Sequence, residues 1–140
     1  MTSTLILRVI ARGMVPVVTV YALYLLVRGH DAVGGGFIGG LVAGAALVLQ
    51  FFADEATTPR VASRPLELLG AGMLICVGYG LVGLMSGAGF LAGAIWYPTV
   101  PLIGELKFAA SLVFDVGVLV VVLGAVGGVL RYLGGEVSRA

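Results

Sequence analysis

Charge is what this chain has least of. Only 15 of its 140 residues are Asp, Glu, Lys or Arg, and eight cations against seven acids leave a formal net charge of +1. So weak a field cannot gather a polyanion, which excludes nucleic acid as a partner. Cysteine is limited to Cys76 and histidine to His30. One thiol excludes an intrachain disulfide and a cysteine metal site, and His30 has no second ligand near it in sequence. Ser, His and Asp all occur, yet His30 and Asp31 are adjacent on a turn while Ser111 and Asp115 lie in an apolar run. No nucleophile is set beside a base, so the chain is not read as an enzyme in itself, and no cofactor motif is visible.

What fills the sequence instead is apolar. Hydrophobic residues make up 60% of the chain, and the mean hydropathy is +1.15, far outside the soluble range. The pattern predicts an all-α integral membrane bundle, one domain over 1–140 with four spans at about 5–27, 34–53, 66–85 and 105–130. The first spans 23 residues, about 34 Å of helix against a hydrocarbon core of roughly 30 Å. Arg8 and Arg12 ahead of an apolar run also fit a secretory signal, but Leu25-Leu26-Val27-Arg28 has no small-residue cleavage site, so the span is expected to be retained. Pro16 removes the donor for the carbonyl of Arg12, which a membrane helix tolerates as a kink. Pro65 and Glu67 suit the first turn of the third span. Cys76 reads as a small core residue. The stretch 86–104, with Gly87, Gly89, Gly93, Trp96, Tyr97, Pro98 and Pro101, is too apolar for an aqueous loop and too broken for a helix. It reads as an interfacial connection.

Alternating spans would put Arg8, Arg12, Arg60, Arg64, Arg131 and Arg139 on one side and Arg28 and Lys107 on the other. Six cations against two place both termini in the cytoplasm.

The most unusual stretch is GHDAVGGGFIGGLVAG, Gly29 to Gly44. His30 and Asp31 form a polar turn, and Gly34, Gly35 and Gly36 lead into a run without charge. A glycine turn before a helix also suits phosphate binding, but no Lys-Ser/Thr follows. Gly36, Gly40 and Gly44 repeat every fourth residue, leaving a groove where another helix backbone can approach closely. Gly72, Gly78, Gly80, Gly83 and Gly87 give the third span a similar capacity.

The fourth run carries Asp115. If its helix starts near Gly104, Asp115 lies about 16 Å along it, close to mid-membrane. A carboxylate there must be paired, hydrated or protonated. Lys107, Ser111 and Asp115, spaced by four, would form one stripe facing protein.

Two blocks resemble a known family, the MnhB or MrpB component of multisubunit Mrp-type cation/proton antiporters. The first is GHDAVGGGFIGGLVAGAAL, Gly29 to Leu47, similar to that family's Gly-His-Asn-x-Pro-Gly-Gly-Gly-Phe turn and includes Phe37. The second is PLIGELKFAASLVFDVGVLVVVLG, Pro101 to Gly124, similar to its Gly-Glu turn and Phe-Asp-x-Gly-Val helix, here Phe114, Asp115, Gly117 and Val118. Val33 stands where the family has proline, which leaves the turn less rigid, and Asp31 where it has asparagine. The resemblance implies a multi-pass subunit of the cell membrane within a Na⁺/H⁺ antiporter complex, whose partners are small subunits and large ones similar to the proton-pumping subunits of respiratory complex I. Related subunits occur in membrane-bound hydrogenases.

Two roles stay open at this point. Either the chain only docks the large subunits, or Asp115, with Glu105, Lys107, His30 and Asp31 as further candidates, also relays a cation or proton. An independent transporter would offer more ionisable groups around a central site.

Overall fold

The computed structural model describes residues 5–29, 34–53, 64–85, 99–100, 104–105 and 110–137. Its elements in chain order are α1 (Leu5–Arg28), α2 (Gly35–Ala53), α3 (Pro65–Met85), β1 (Thr99–Val100), β2 (Gly104–Glu105) and α4 (Ala110–Val137). All four helices hold a stretch long and apolar enough to cross a membrane, in α4 the segment Leu112–Gly134. Three of the four expected spans agree with their helices to within a residue at each end. The helix boundaries have local causes. Gly34 adopts φ +107°, a conformation that glycine enters without steric cost, and its carbonyl accepts the amide of Ile38 at 3.0 Å to open α2. At the start of α3, Pro65 occupies the first helical position, and the Arg64 guanidinium donates to both carboxylate oxygens of Glu67 at 3.2 Å. That pair is exposed on both sides and contributes little to stability. In α1 the helix runs unbroken through Pro16, and the Thr19 hydroxyl donates to the Val15 carbonyl at 2.8 Å.

The fourth span departs from expectation. Gly104 and Glu105 are not its first turn but a strand, with Thr99 paired to Glu105 and Val100 to Gly104 in an antiparallel ladder. Val100 precedes Pro101, and a residue before proline is pushed towards extended backbone. Counting apolar residues from 105 onwards therefore started the helix too early. It begins at Ala110 and continues to Val137, seven residues past the expected end. The greater part of the 86–104 connection lies outside the described residues.

The four helices stand side by side in the order α1, α2, α4, α3. α1 packs along α2, α2 along α4 and α4 along α3, with only slight contact between α1 and α4. Glycine makes both seams of α4. A Cβ built on Gly40 would lie 2.9 Å from Val122 Cβ and 3.3 Å from Leu119 Cα, and one on Gly44 2.9 Å from Val126 Cγ2. The groove read from Gly36, Gly40 and Gly44 is thus filled by α4 of the same chain. On the opposite side of α4, Gly117 faces Cys76 and Ile75, and Gly124 faces Leu68 and Leu69. Gly72 of α3 completes that seam, with a Cβ there 2.7 Å from the Gly117 carbonyl oxygen. Gly78, expected in the packing surface, instead has open space around it.

These contacts fix direction. Gly36 meets Asp115 and Gly44 meets Val126, so α2 and α4 run parallel; Gly39 meets Ala22 and Leu26, and Gly72 meets Val121, so α1 and α3 run the other way. Arg8, Arg12, Arg64 and Arg131 consequently share one end of the row, and Arg28 lies at the other. Arg60, Arg139 and Lys107 fall outside the described residues.

Candidate functional site

The two blocks singled out in the sequence meet in space. Gly36, one residue into α2, lies directly against the backbone of Asp115, so close that a Cβ on it would sit 2.6 Å from Asp115 Cα. Only a residue without a side chain permits that approach. Just beside it α1 ends against α2, with Gly29 touching Gly35 backbone to backbone. The two ends of the segment that carries His30 and Asp31 are therefore held together. His30 and Asp31 themselves lie outside the described residues, as does Lys107.

Asp115 is 7% exposed and is the buried charged side chain among the described residues. It is not without a partner, and no buried side-chain nitrogen or oxygen among the described residues lacks a hydrogen bond. Its depth differs from the expectation. Because α4 starts at Ala110, Asp115 is only about 7.5 Å along the helix and about 4.5 Å from the first residue of the apolar segment. It therefore belongs near the membrane end marked by Gly34 to Gly36, not at the bilayer centre. The desolvation penalty argued for mid-membrane is correspondingly smaller, since charge costs fall towards the interface. Of the expected stripe of Lys107, Ser111 and Asp115, Ser111 and Asp115 lie on α4 and Lys107 falls outside the described residues.

The neighbouring motif residues divide between two helices. Phe114 turns away from Asp115 towards α3, its ring 6.2 Å from that of Tyr79, and its carbonyl accepts the Cys76 thiol at 3.8 Å. Gly117, one turn on, makes room for Cys76 and Ile75. Phe37 is 51% exposed and points out of the chain. Glu105, expected at the start of the fourth span, sits in the ladder opposite Thr99. Reading the sequence alone missed Tyr79 and Gly124 as parts of the α3–α4 seam. The spacing of seven between Gly117 and Gly124 was the available signal, since it returns two glycines to one helix face. Among the described residues, no three His, Cys, Asp or Glu side chains come together as a metal site would require.

A chain built this way is a multi-pass membrane protein, its spans joined along glycine seams. Comparison with known proteins narrows the class: over residues 6–128 the chain matches the family described as a domain related to the MnhB subunit of Na⁺/H⁺ antiporters, and it belongs to that family. It is 33% identical to the B-type subunit of the Na⁺/H⁺ antiporter of Bacillus subtilis (strain 168), over 96% of each chain. The corresponding B-type Na⁺/H⁺ antiporter protein of Alkalihalophilus pseudofirmus is 30% identical over 88% of this chain and 87% of its own. A probable K⁺/H⁺ antiporter component of combined A/B type from Rhizobium meliloti (strain 1021) is 33% identical over 94% of this chain but only 13% of that longer protein. These relatives are components of transporters.

Proposed function

We propose that this chain is a small subunit of a multisubunit cation/proton antiporter in the cell membrane, with both termini cytoplasmic, and that it docks the larger complex-I-like subunits that carry the ions. The observation that carries this reading is the single row of helices. A row has two broad faces, and here both central helices present large apolar side chains outward, including Phe37, Ile38, Leu41 and Phe52 of α2 and Val113 and Val129 of α4. No large side chain among the described residues is fully enclosed, as suits a row whose broad faces are covered by larger neighbours. Asp115, buried where α4 meets the start of α2, acts in this reading as a positioning residue, with Gly36 seated directly on its backbone.

A second reading is favoured by the burial of that same carboxylate. Asp115 would pass a proton or cation at the membrane end, with His30, Asp31, Glu105 and Lys107 as candidate neighbours. Asp115→Asn separates the two, because it keeps shape and hydrogen bonding but can neither carry a proton nor hold a charge. For the docking role the variant complex assembles in normal yield and exchanges Na⁺ or K⁺ for H⁺ in membrane vesicles at close to the unmodified rate. Normal assembly with exchange lost would replace docking by the relay. Poor assembly would identify a buried ion pair, whose stranded partner costs roughly 3 to 5 kcal/mol.

A further inference from the structure

One side of α1 carries a regular stripe that no other helix of the chain covers. Ile10, Met14, Val17, Tyr21, Tyr24 and Arg28 follow one another at alternating steps of four and three residues, and all are exposed. That alternation is the seam spacing of two helices packed side by side. The stripe lies to one side of the buried residues Ala11, Ala22 and Leu26. Other sides of α1 also expose apolar residues, Val20 and Leu23 among them, and these suit lipid as they stand. The stripe differs in holding polar groups that acyl chains cannot serve.

The packing of α1 on α2 gives their depth. Gly29 lies against Gly35, and Gly39 lies between the levels of Ala22 and Leu26. Tyr24 is therefore level with Gly39, about 6 Å in from the first residue of α2, and Tyr21 is about 4.5 Å deeper, in a span about 28 Å long. Helical side chains lean towards the N-terminus, which in α1 is the Arg8 end. Both hydroxyls are thus carried further into the hydrocarbon, not back to the headgroups where tyrosine is usual. The two rings stack with centroids 6.2 Å apart, and among the described residues neither hydroxyl makes a hydrogen bond. Thr19, by contrast, turns its hydroxyl onto the Val15 carbonyl of its own helix at 2.8 Å. A tyrosine hydroxyl is too far out on its ring for that escape, and against acyl chains it forfeits the hydrogen bonds that water would supply. Arg28 ends the stripe, exposed and without an ion pair among the described residues.

We propose that this stripe seats a transmembrane helix of another subunit, one that offers hydrogen-bond acceptors to Tyr21 and Tyr24 and a carboxylate to Arg28. The inference rests on the docking role proposed above and adds to it a face and a partner chemistry. An acyl chain covers Ile10, Met14 and Val17 but gives the hydroxyls nothing. A second copy of this chain, related by a two-fold axis along the membrane normal, brings equal levels together and sets Arg28 against Arg28, a like-charge contact that disfavours the pair. A different helix with acceptors at depth and an acid near its end satisfies all three groups.

The test uses the assembled antiporter complex in its native membrane, with Tyr21→benzoylphenylalanine as a light-activated cross-linker and mass spectrometry to identify the peptide it captures. The expected capture is a transmembrane peptide of another subunit, with a hydrogen-bonding side chain within a turn of the attachment and an Asp or Glu nearer the Arg28 end. The double variant Tyr21→Phe with Tyr24→Phe keeps both rings and removes both hydroxyls. Its equilibrium constant for release from the complex in detergent should rise roughly tenfold, the size expected for two interhelical hydrogen bonds, while the isolated chain unfolds in sodium dodecyl sulfate as before. Capture of lipid alone, of a second copy or of a wholly apolar helix would overturn the proposal, and so would unchanged release of the double variant. If the chain still purifies with its complex in those cases, the docking role survives without this face; a chain that purifies alone from mild detergent removes both.

Discussion

Adding a single methyl at different glycines of this chain should give sharply different results, because the glycines differ in what that methyl would meet. At Gly36 the new carbon would fall 2.6 Å from Asp115 Cα and 2.7 Å from its carbonyl carbon. Ordinary contact begins near 3.4 Å, and neither atom belongs to a side chain that can rotate aside. α2 and α4 would have to part by most of an ångström along their whole seam. Gly72 is similar, its Cβ lying 2.7 Å from the Gly117 carbonyl oxygen and 2.8 Å from Val121 N. At Gly44 the obstacle is Val126 Cγ2 at 2.9 Å, one methyl of a side chain, and a small shift relieves it. Gly70 and Gly78 have nothing within 4 Å. Overpacking costs about 1 to 3 kcal/mol, against a gain of up to about 1 kcal/mol in helix propensity on replacing glycine. The expected order of loss is Gly36→Ala and Gly72→Ala at about 2 kcal/mol, Gly44→Ala near zero, and Gly70→Ala and Gly78→Ala neutral or stabilising. Unfolding of the purified chain in bicelles by increasing sodium dodecyl sulfate, followed by circular dichroism, measures the series. A Gly36→Ala variant as stable as Gly78→Ala would show that α2 and α4 do not meet as described.

Gly40→Leu, whose branched side chain must enter the space of Val122 and Leu119, should abolish the α2–α4 seam and sharply cut the yield of folded chain, whereas Gly40→Ala is milder; immunoblots of membrane fractions read the difference. Gly34→Ala should cost about 1 kcal/mol although there is open room for its methyl, because the penalty is conformational at φ +107°. Gly34→Asn should recover part of that loss in the same unfolding assay. Reporter fusions should find the 54–63 segment on the cytoplasmic side and the 30–33 segment outside; the opposite result would reverse the placement of the termini.

Most of the helical architecture was legible because it rests on two strong signals, apolar length and glycine spacing. Leu5, Gly35, Pro65 and their neighbours begin helices where the apolar runs begin. The Gly36, Gly40, Gly44 repeat correctly announced a close helix contact. It could not say whose helix, since a repeat on one chain records only the need for a near neighbour and not the neighbour's identity. The row order was illegible for the same reason. Placing α4 between α2 and α3 depends on two faces of one helix, and along its first half α4 shows glycine only towards α3, at Gly117 and Gly124, with Gly134 against Phe51 of α2 near its far end. Towards α2 it offers Leu119, Val122 and Val126, which look like any apolar run until Gly40 and Gly44 stand opposite them.

The error in the start of α4 changes what its carboxylate can mean. Hydropathy does not distinguish an apolar extended segment from the first turns of an apolar helix, so 104–109 counted as helix and carried Asp115 to the bilayer centre. The pairing of Gly104 and Glu105 with Thr99 and Val100 takes those two residues out of the helix, and the contact of Gly36 with Asp115 sets the carboxylate at the level where α2 begins. There the two family motifs act as one unit. Phe114 and Gly117 fasten the first turns of α4 to Tyr79, Cys76 and Gly72 of α3, while Asp115 between them presses on Gly36 of α2. A single helical turn thus joins three helices at one end of the row. Any movement of α3 that displaced Phe114 would carry Asp115 with it, because residues within one rigid turn cannot shift separately.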